Sequence, residues 1–159
     1  RAQIAFNDKK DKLNAQALAQ GKTDYTSVPQ LKAELENYAL NVLAPQSPEW
    51  FDRHNNPKYS NNSYNYAKGL ETIVNNVEFM AKHGDTKMWQ DVSNFISMRN
   101  QYVDAYQALG DRDPRKRMLI AGYQQYLVQN LSQWEPNFQE LIRRYFINDK
   151  MDKTIVGIN

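Results

Sequence analysis

The sequence contains no cysteine. That absence excludes disulfides, thiolate metal sites and thiol nucleophiles together, and it fits a reducing, intracellular setting. Histidine is nearly as scarce. His54 and His83 are the only two, and neither belongs to a His-x-x-x-His or Glu-x-x-His pair, so the spacing that builds a metal site on a helix is missing. No metal and no cofactor is expected. No hydrophobic run approaches the length of a membrane span and no signal-peptide core is visible, so a membrane partner is not expected either. Nucleophile-elbow and phosphate-loop patterns are absent, as is any repeat of fixed period. Charge of one sign is also lacking. The net charge of +2 does not call for a polyanionic partner, and any nucleic-acid argument must rest on local clustering.

What is present is helical patterning. The chain has 159 residues, 41% of them hydrophobic and 24% charged, enough for one domain with a sizeable core. Glycine and proline number six each, while Asn, Gln and Tyr are abundant. Such a composition suits helices with polar, weakly charged surfaces that meet other surfaces, as in a component of a viral or phage particle. The chain opens on Arg1 rather than Met, which reads as a fragment or a processed product.

The organising stretch is Asp85–Leu109. Met88, Trp89, Val92, Phe95, Ile96, Tyr102, Val103, Tyr106 and Leu109 recur at steps of three and four and define one apolar helical face. Asp85 is expected to cap it and Gly110 to end it in the left-handed conformation. Arg99 falls on the apolar stripe and reads as an arginine whose stem packs while its head reaches water, the alternative being a buried ion pair.

Around this helix the spacing predicts partners. A peripheral helix spans residues 2–20 and stops at Gly21. Ser27 is expected to cap a helix through Leu43, ended by Pro45 and Pro48, with a short helical turn at Glu49-Trp50-Phe51. A turn-rich segment at residues 54–62 precedes one helix over residues 63–82, which pairs with the central helix as an αα-hairpin. Asp113 and Pro114 open a helix to about Gln133. Gly122 in its interior implies a close crossing. A last helix from Pro136 buries Phe138, Leu141, Ile142, Tyr145 and Phe146. The expected fold is therefore all-α, an antiparallel bundle of five or six helices with short loops. Residues 1–26 form a peripheral helix and linker, 27–148 the bundle core and 149–159 a polar-to-apolar tail.

No catalytic constellation assembles. Asp52 beside His54, and His83 beside Asp85, read as local hydrogen bonds or caps. The glutamate pairs Glu34 and Glu36, and Glu135 and Glu140, lack convergent spacing, and Glu71 and Glu78, one heptad apart, read as a lone surface pair. Enzyme activity is not expected, and no small-molecule substrate is identified.

Two features read as interaction sites. Arg112, Arg115, Lys116 and Arg117, with Arg143 and Arg144 as candidate neighbours, put cations where a helix N-terminus favours acids. An anion or nucleic-acid backbone would relieve that conflict. Trp50, Phe51, Tyr59 and Tyr64 frame an Asn/Tyr-rich loop of the kind that binds protein partners, or else cover the end of the bundle. The reading is a non-catalytic protein–protein interaction or assembly module whose partner is another protein or a second copy. The alternative is a helical nucleic-acid-binding module using Arg112–Arg117, and the third is an enzyme accessory domain.

Overall fold

The computed structural model describes residues 1–54 and 62–147. Every regular element among them is helical: α1 (Ala2–Ala19), α2 (Pro29–Asn37), α3 (Ala44–Gln46), α4 (Pro48–His54), α5 (Asn62–Val74), α6 (Val77–His83), α7 (Lys87–Gln107), α8 (Arg115–Asn130) and α9 (Pro136–Tyr145). The helices are more numerous than the expected five or six because two of the expected ones are each divided. None is long and apolar enough to cross a membrane, among the described residues. The expected tail at residues 149–159 lies outside them.

The first division follows α2. Proline at position 45 lacks the amide that a regular helix needs and crowds the carbonyl four residues back. The chain does not stop there. It widens into a π-helical turn over Tyr38–Leu43 and resumes as α3 with Pro45 in its first turn, where the missing donor matters least. The buried Tyr66 hydroxyl donates to the Leu40 carbonyl in the widened turn at 2.6 Å. The second division falls at Asn75-Asn76. Asn76 adopts an extended backbone and its Oδ1 accepts from the Phe79 amide at 2.8 Å, so it starts α6. Asparagine competes for backbone hydrogen bonds inside a helix and favours its caps. Val77 is consequently 82% exposed.

Two expected N-caps moved by one residue, and one expected left-handed stop did not form. Thr86 rather than Asp85 opens α7, its Oγ1 accepting from the Trp89 amide at 3.3 Å; this register turns Trp89 edge-on to Phe79, 5.2 Å away. Val28 rather than Ser27 precedes α2, because Ser27 ends a 3-10 turn, Tyr25–Ser27, capped by Asp24. Gly110 does not take a left-handed φ. Gly21 alone among the described residues does, and there the amides of Gly21 and Lys22 return to the carbonyls of Leu18 and Ala17 at 2.9 Å each, satisfying the end of α1.

The core gathers on α5 and α7, which are tied by Asn100 donating to Glu71 at 2.9 Å. Tyr66, Leu70 and Ile73 of α5 meet Val92, Phe95 and Ile96 of α7. The five expected residues of α9, Phe138, Leu141, Ile142, Tyr145 and Phe146, are all buried against them. Trp50 and Phe51 of α4 close one side. A smaller cluster joins Leu13 and Ala17 of α1 to Leu31 and Leu35 of α2. Arg99 is 2% exposed, so its head does not reach water. Its Nη1 donates to Asn100 Oδ1 at 3.3 Å. Burial raises the Glu71 pKa, but hydrogen bonds from Lys68 and Asn100 and the charges of Lys68 and Arg99 outweigh it and hold the carboxyl below its ordinary range. Asp91 docks α9: its Oδ2 accepts from the Glu135 amide at 2.8 Å and from Lys87 at 2.9 Å.

The two interior glycines differ in kind. A Cβ on Gly69 would lie 2.5 Å from Leu40 Cδ1 and 2.8 Å from Glu36 Oε1, so α5 and α2 cross closely there. At Gly122 the close crossing expected from the sequence is replaced by contact with a ring: Tyr102 is 3.5 Å from where a Cβ would sit, ordinary van der Waals contact. Gly69→Ala is therefore expected to destabilise the fold by about 1–3 kcal/mol through overpacking. Gly122→Ala is expected to stabilise it by roughly 0.5–1 kcal/mol through helix propensity. Thermal melts of the two variants check this, and equal signs would refute the assignment.

Glu36, beside that crossing, has its pKa raised by burial, with Lys32 opposing. A raised carboxyl pKa means that the protonated form suits the fold, so ionisation at neutral pH weighs against stability. Glu36→Gln is expected to raise Tm at about pH 7, with the gain closing below about pH 4, near the ordinary glutamate pKa. A gain independent of pH would show that ionisation is not its cause.

Candidate interaction surface

The basic turn connects the end of α7 to the start of α8. Asp113 performs the capping expected of it, its Oδ1 accepting from the Arg115 amide at 2.9 Å, although the regular helix begins after Pro114 rather than with it. Arg115 folds back on the same carboxylate, Nη2 to Oδ2 at 2.6 Å. These side-chain and backbone hydrogen bonds hold the Asp113 pKa down at about 2. Lys116 turns the other way, 4.5 Å from the centre of the Tyr106 ring and 4.0 Å from Asp111. Two of the four cations are thus engaged within the turn itself. Arg112 and Arg117 are exposed, and no salt bridge to either forms among the described residues.

Arg143 and Arg144 do not join this turn. Arg143 pairs with Glu140 at 2.5 Å. Arg144 donates to the Pro45 carbonyl at 3.1 Å and the Ala44 carbonyl at 3.4 Å, capping the end of α3. It lines an open groove of about 510 Å³ with Met88 and Trp89 at the start of α7 and with Asn37 and Asn41 beside the π turn. The basic turn lies beyond the other end of α7. Residues 89 and 107 are separated by roughly 27 Å along a helix. The reason is packing: Phe95 holds Phe138 and Phe146 of α9, at 5.8 Å and 5.0 Å, against the first half of α7.

The aromatic candidates also fall differently from expectation. Trp50 is 7% and Phe51 1% exposed. Trp50 Nε1 donates to Gln3 at 3.0 Å and its ring meets Phe6 at 5.5 Å. Phe51 packs between Tyr66 and Tyr145, 5.5 Å and 5.3 Å away. Both rings form part of the core rather than of an exposed partner surface. Tyr59 lies outside the described residues, as does the side chain of Tyr64.

The acids weighed for catalysis serve structure. Glu135 caps α9 through the Phe138 amide, Glu140 pairs with Arg143, and Glu34 lies 3.8 Å from Lys82. His83 packs its ring on Phe79 at 4.4 Å. Among the described residues no three metal-ligating side chains come together.

The sequence reading missed the outward face of α8. Tyr123 and Leu127 are buried, whereas Met118 is 73% and Val128 60% exposed. Met118, Ala121, Gln125 and Val128 follow one another at steps of three, four and three, opposite the buried pair, and all four are exposed. That spacing is readable in the sequence, but Leu119, Tyr123, Tyr126 and Leu127 on the same helix share the period.

Asp113→Ala is expected to lower Tm at about pH 6 by removing the cap. Because the native carboxyl pKa is depressed, its contribution is complete above the ordinary aspartate value and fades as pH falls through about 2. Urea melts at the two ends of that window check this, and a pH-independent difference would assign the effect to something other than the carboxylate. No family model, no curated protein and no solved structure matches the chain.

Proposed function

We propose that this chain is a non-catalytic helical interaction or assembly module, an antiparallel bundle that presents one face of α8 to another protein surface. The observation that carries this reading is the exposed apolar row on α8, where Met118 and Val128 stand in solvent at helical spacing. Rows of large apolar side chains on a soluble surface mark binding sites more often than scattered single ones do. The carboxylates near the other candidate chemistry act as caps and ion-pair partners, which supports a binding role over a catalytic one.

A helical nucleic-acid-binding role is the second reading, favoured by the exposure of Arg112 and Arg117 at the start of α8. The engagement of Arg115 by Asp113 and of Lys116 by Tyr106 weighs against a strong site. Each phosphate neutralised on duplex DNA contributes about 0.9 to the slope of log affinity against log salt.

One pair of variants separates the readings. Met118→Lys with Val128→Lys alters only exposed positions, so Tm is expected to stay unchanged while capture of specific proteins from an extract of the source cells is lost. Unaltered capture overturns the interaction reading of this face. Under the second reading, labelled duplex binds with a salt slope of about 2 in magnitude, as two contacts require, and Arg112→Ala with Arg117→Ala abolishes it. No duplex binding at low salt removes that reading.

A further inference from the structure

Lys32 and Glu36 stand one turn apart on α2. With the lysine N-terminal to the acid, the pair has the weaker orientation for residues four apart on a helix. Lys32 acts on Glu36 through its charge alone. Among the described residues neither a hydrogen bond nor a salt bridge reaches the Glu36 carboxylate. The side chain is nevertheless half-buried. Gly69 leaves the room for it, since a Cβ there would lie 2.8 Å from Glu36 Oε1. Burying a carboxylate without a partner costs stability, and a neutral side chain of the same shape would suit the fold better. An acid perturbed in this way inside a cleft is a mark of a functional site.

The cleft is a cavity of about 300 Å³ between α1, α2, the π turn and α4, at the small end of the range for ligand sites. Phe6 of α1, Tyr25 of the 3-10 turn and Phe51 of α4 give it an aromatic lining, and Lys10, Lys32 and Glu36 give it its charges. Lys10 acts on Asp24 through its charge, but among the described residues neither lysine closes an ion pair. At their spacing on α2 the Cβ atoms of Lys32 and Glu36 are roughly 5–6 Å apart, so one small molecule can reach both charges. A plain amine would satisfy Glu36 and meet two lysines. A plain organic acid would satisfy the lysines and meet Glu36. Charge complementarity therefore calls for both groups on one molecule.

We infer that this cavity binds a free amino acid with an apolar side chain, its ammonium on Glu36, its carboxylate on Lys10 and Lys32, and its side chain against Phe6, Tyr25 and Phe51. The inference goes beyond the assembly reading and does not depend on it, since no residue of α8 lines the cavity. Glu36 then has a role that explains why a charge is held where it weakens the fold: a ligand ammonium supplies the partner that the chain does not, and charge-assisted hydrogen bonds of this kind are strong.

Calorimetric titration of the unaltered chain at about pH 7 tests this, with L-leucine and L-phenylalanine as probes. Taken to about 10 mM, tenfold past a Kd of about 1 mM, at least one of them is expected to bind saturably. The matching amine (3-methylbutylamine or phenethylamine) and the matching acid (4-methylpentanoate or 3-phenylpropionate) are each expected to bind at least about tenfold more weakly, as loss of one charge-assisted contact requires. Glu36→Gln should weaken the amino acid by a similar factor while raising Tm, so that lost binding is not lost folding. Lys32→Met, at an exposed position, should also weaken it with Tm unchanged. Saturable binding of neither amino acid overturns the proposal. So does an amine or an acid that binds as tightly as its parent amino acid, or an affinity indifferent to Glu36→Gln.

Discussion

The Tyr66 hydroxyl bonded to the Leu40 carbonyl is the contact on which the rest of the fold depends. A hydroxyl this deeply buried must find an acceptor, and the π-helical turn supplies one by opening its ladder before Pro45. The ring of Tyr66 stacks on Tyr145 at 4.3 Å and meets Phe51 at 5.5 Å and Phe146 at 6.1 Å. One side chain thus joins the π turn, α4, α5 and α9. Burial and the neighbouring Tyr145 push its pKa well above the ordinary tyrosine value, so it stays a donor at neutral pH.

The polar contacts follow the same logic of placement. Asp91 and Lys87 fasten the start of α9 to α7, Arg144 closes α3, and Asn100 joins Glu71 of α5 to the neighbourhood of Arg99. These groups connect helices whose apolar faces already meet. Charge near the start of α8 does the reverse. There Asp113 answers one arginine locally and Tyr106 holds one lysine, which leaves a helix with an apolar outer row and cations at its positive end.

Much of this was legible in the residues. The all-helical class, the central helix and the buried set of α9 follow from three-and-four spacing, because a helix that buries one face must repeat apolar residues near its own period. Gly21 was legible as a stop because few other residues enter the left-handed region cheaply. The errors share a cause. Asp85, Ser27 and Asn76 belong to runs with several residues able to cap, and which of them does so depends on the rotation that brings Trp89 to Phe79 or Phe79 into the core. Pro45 read as a terminus because a regular helix is the usual alternative, and the π turn needs an acceptor partner from α5 that local sequence does not show.

The sequence by itself determined the class of fold, the absence of thiol chemistry and the positions of the apolar stripes, since these depend on composition and on intervals of a few residues. Tertiary structure alone decided which cations stand together. Arg112 and Arg144 belong to basic clusters of similar appearance, but α9 packs on the first half of α7 and the basic turn follows the last. It also decided that Trp50 and Phe51 face inward while Met118 and Val128 face solvent. The physical reason is that amphipathic spacing states which residues share a face, whereas the direction of that face is set by contacts far away in the chain.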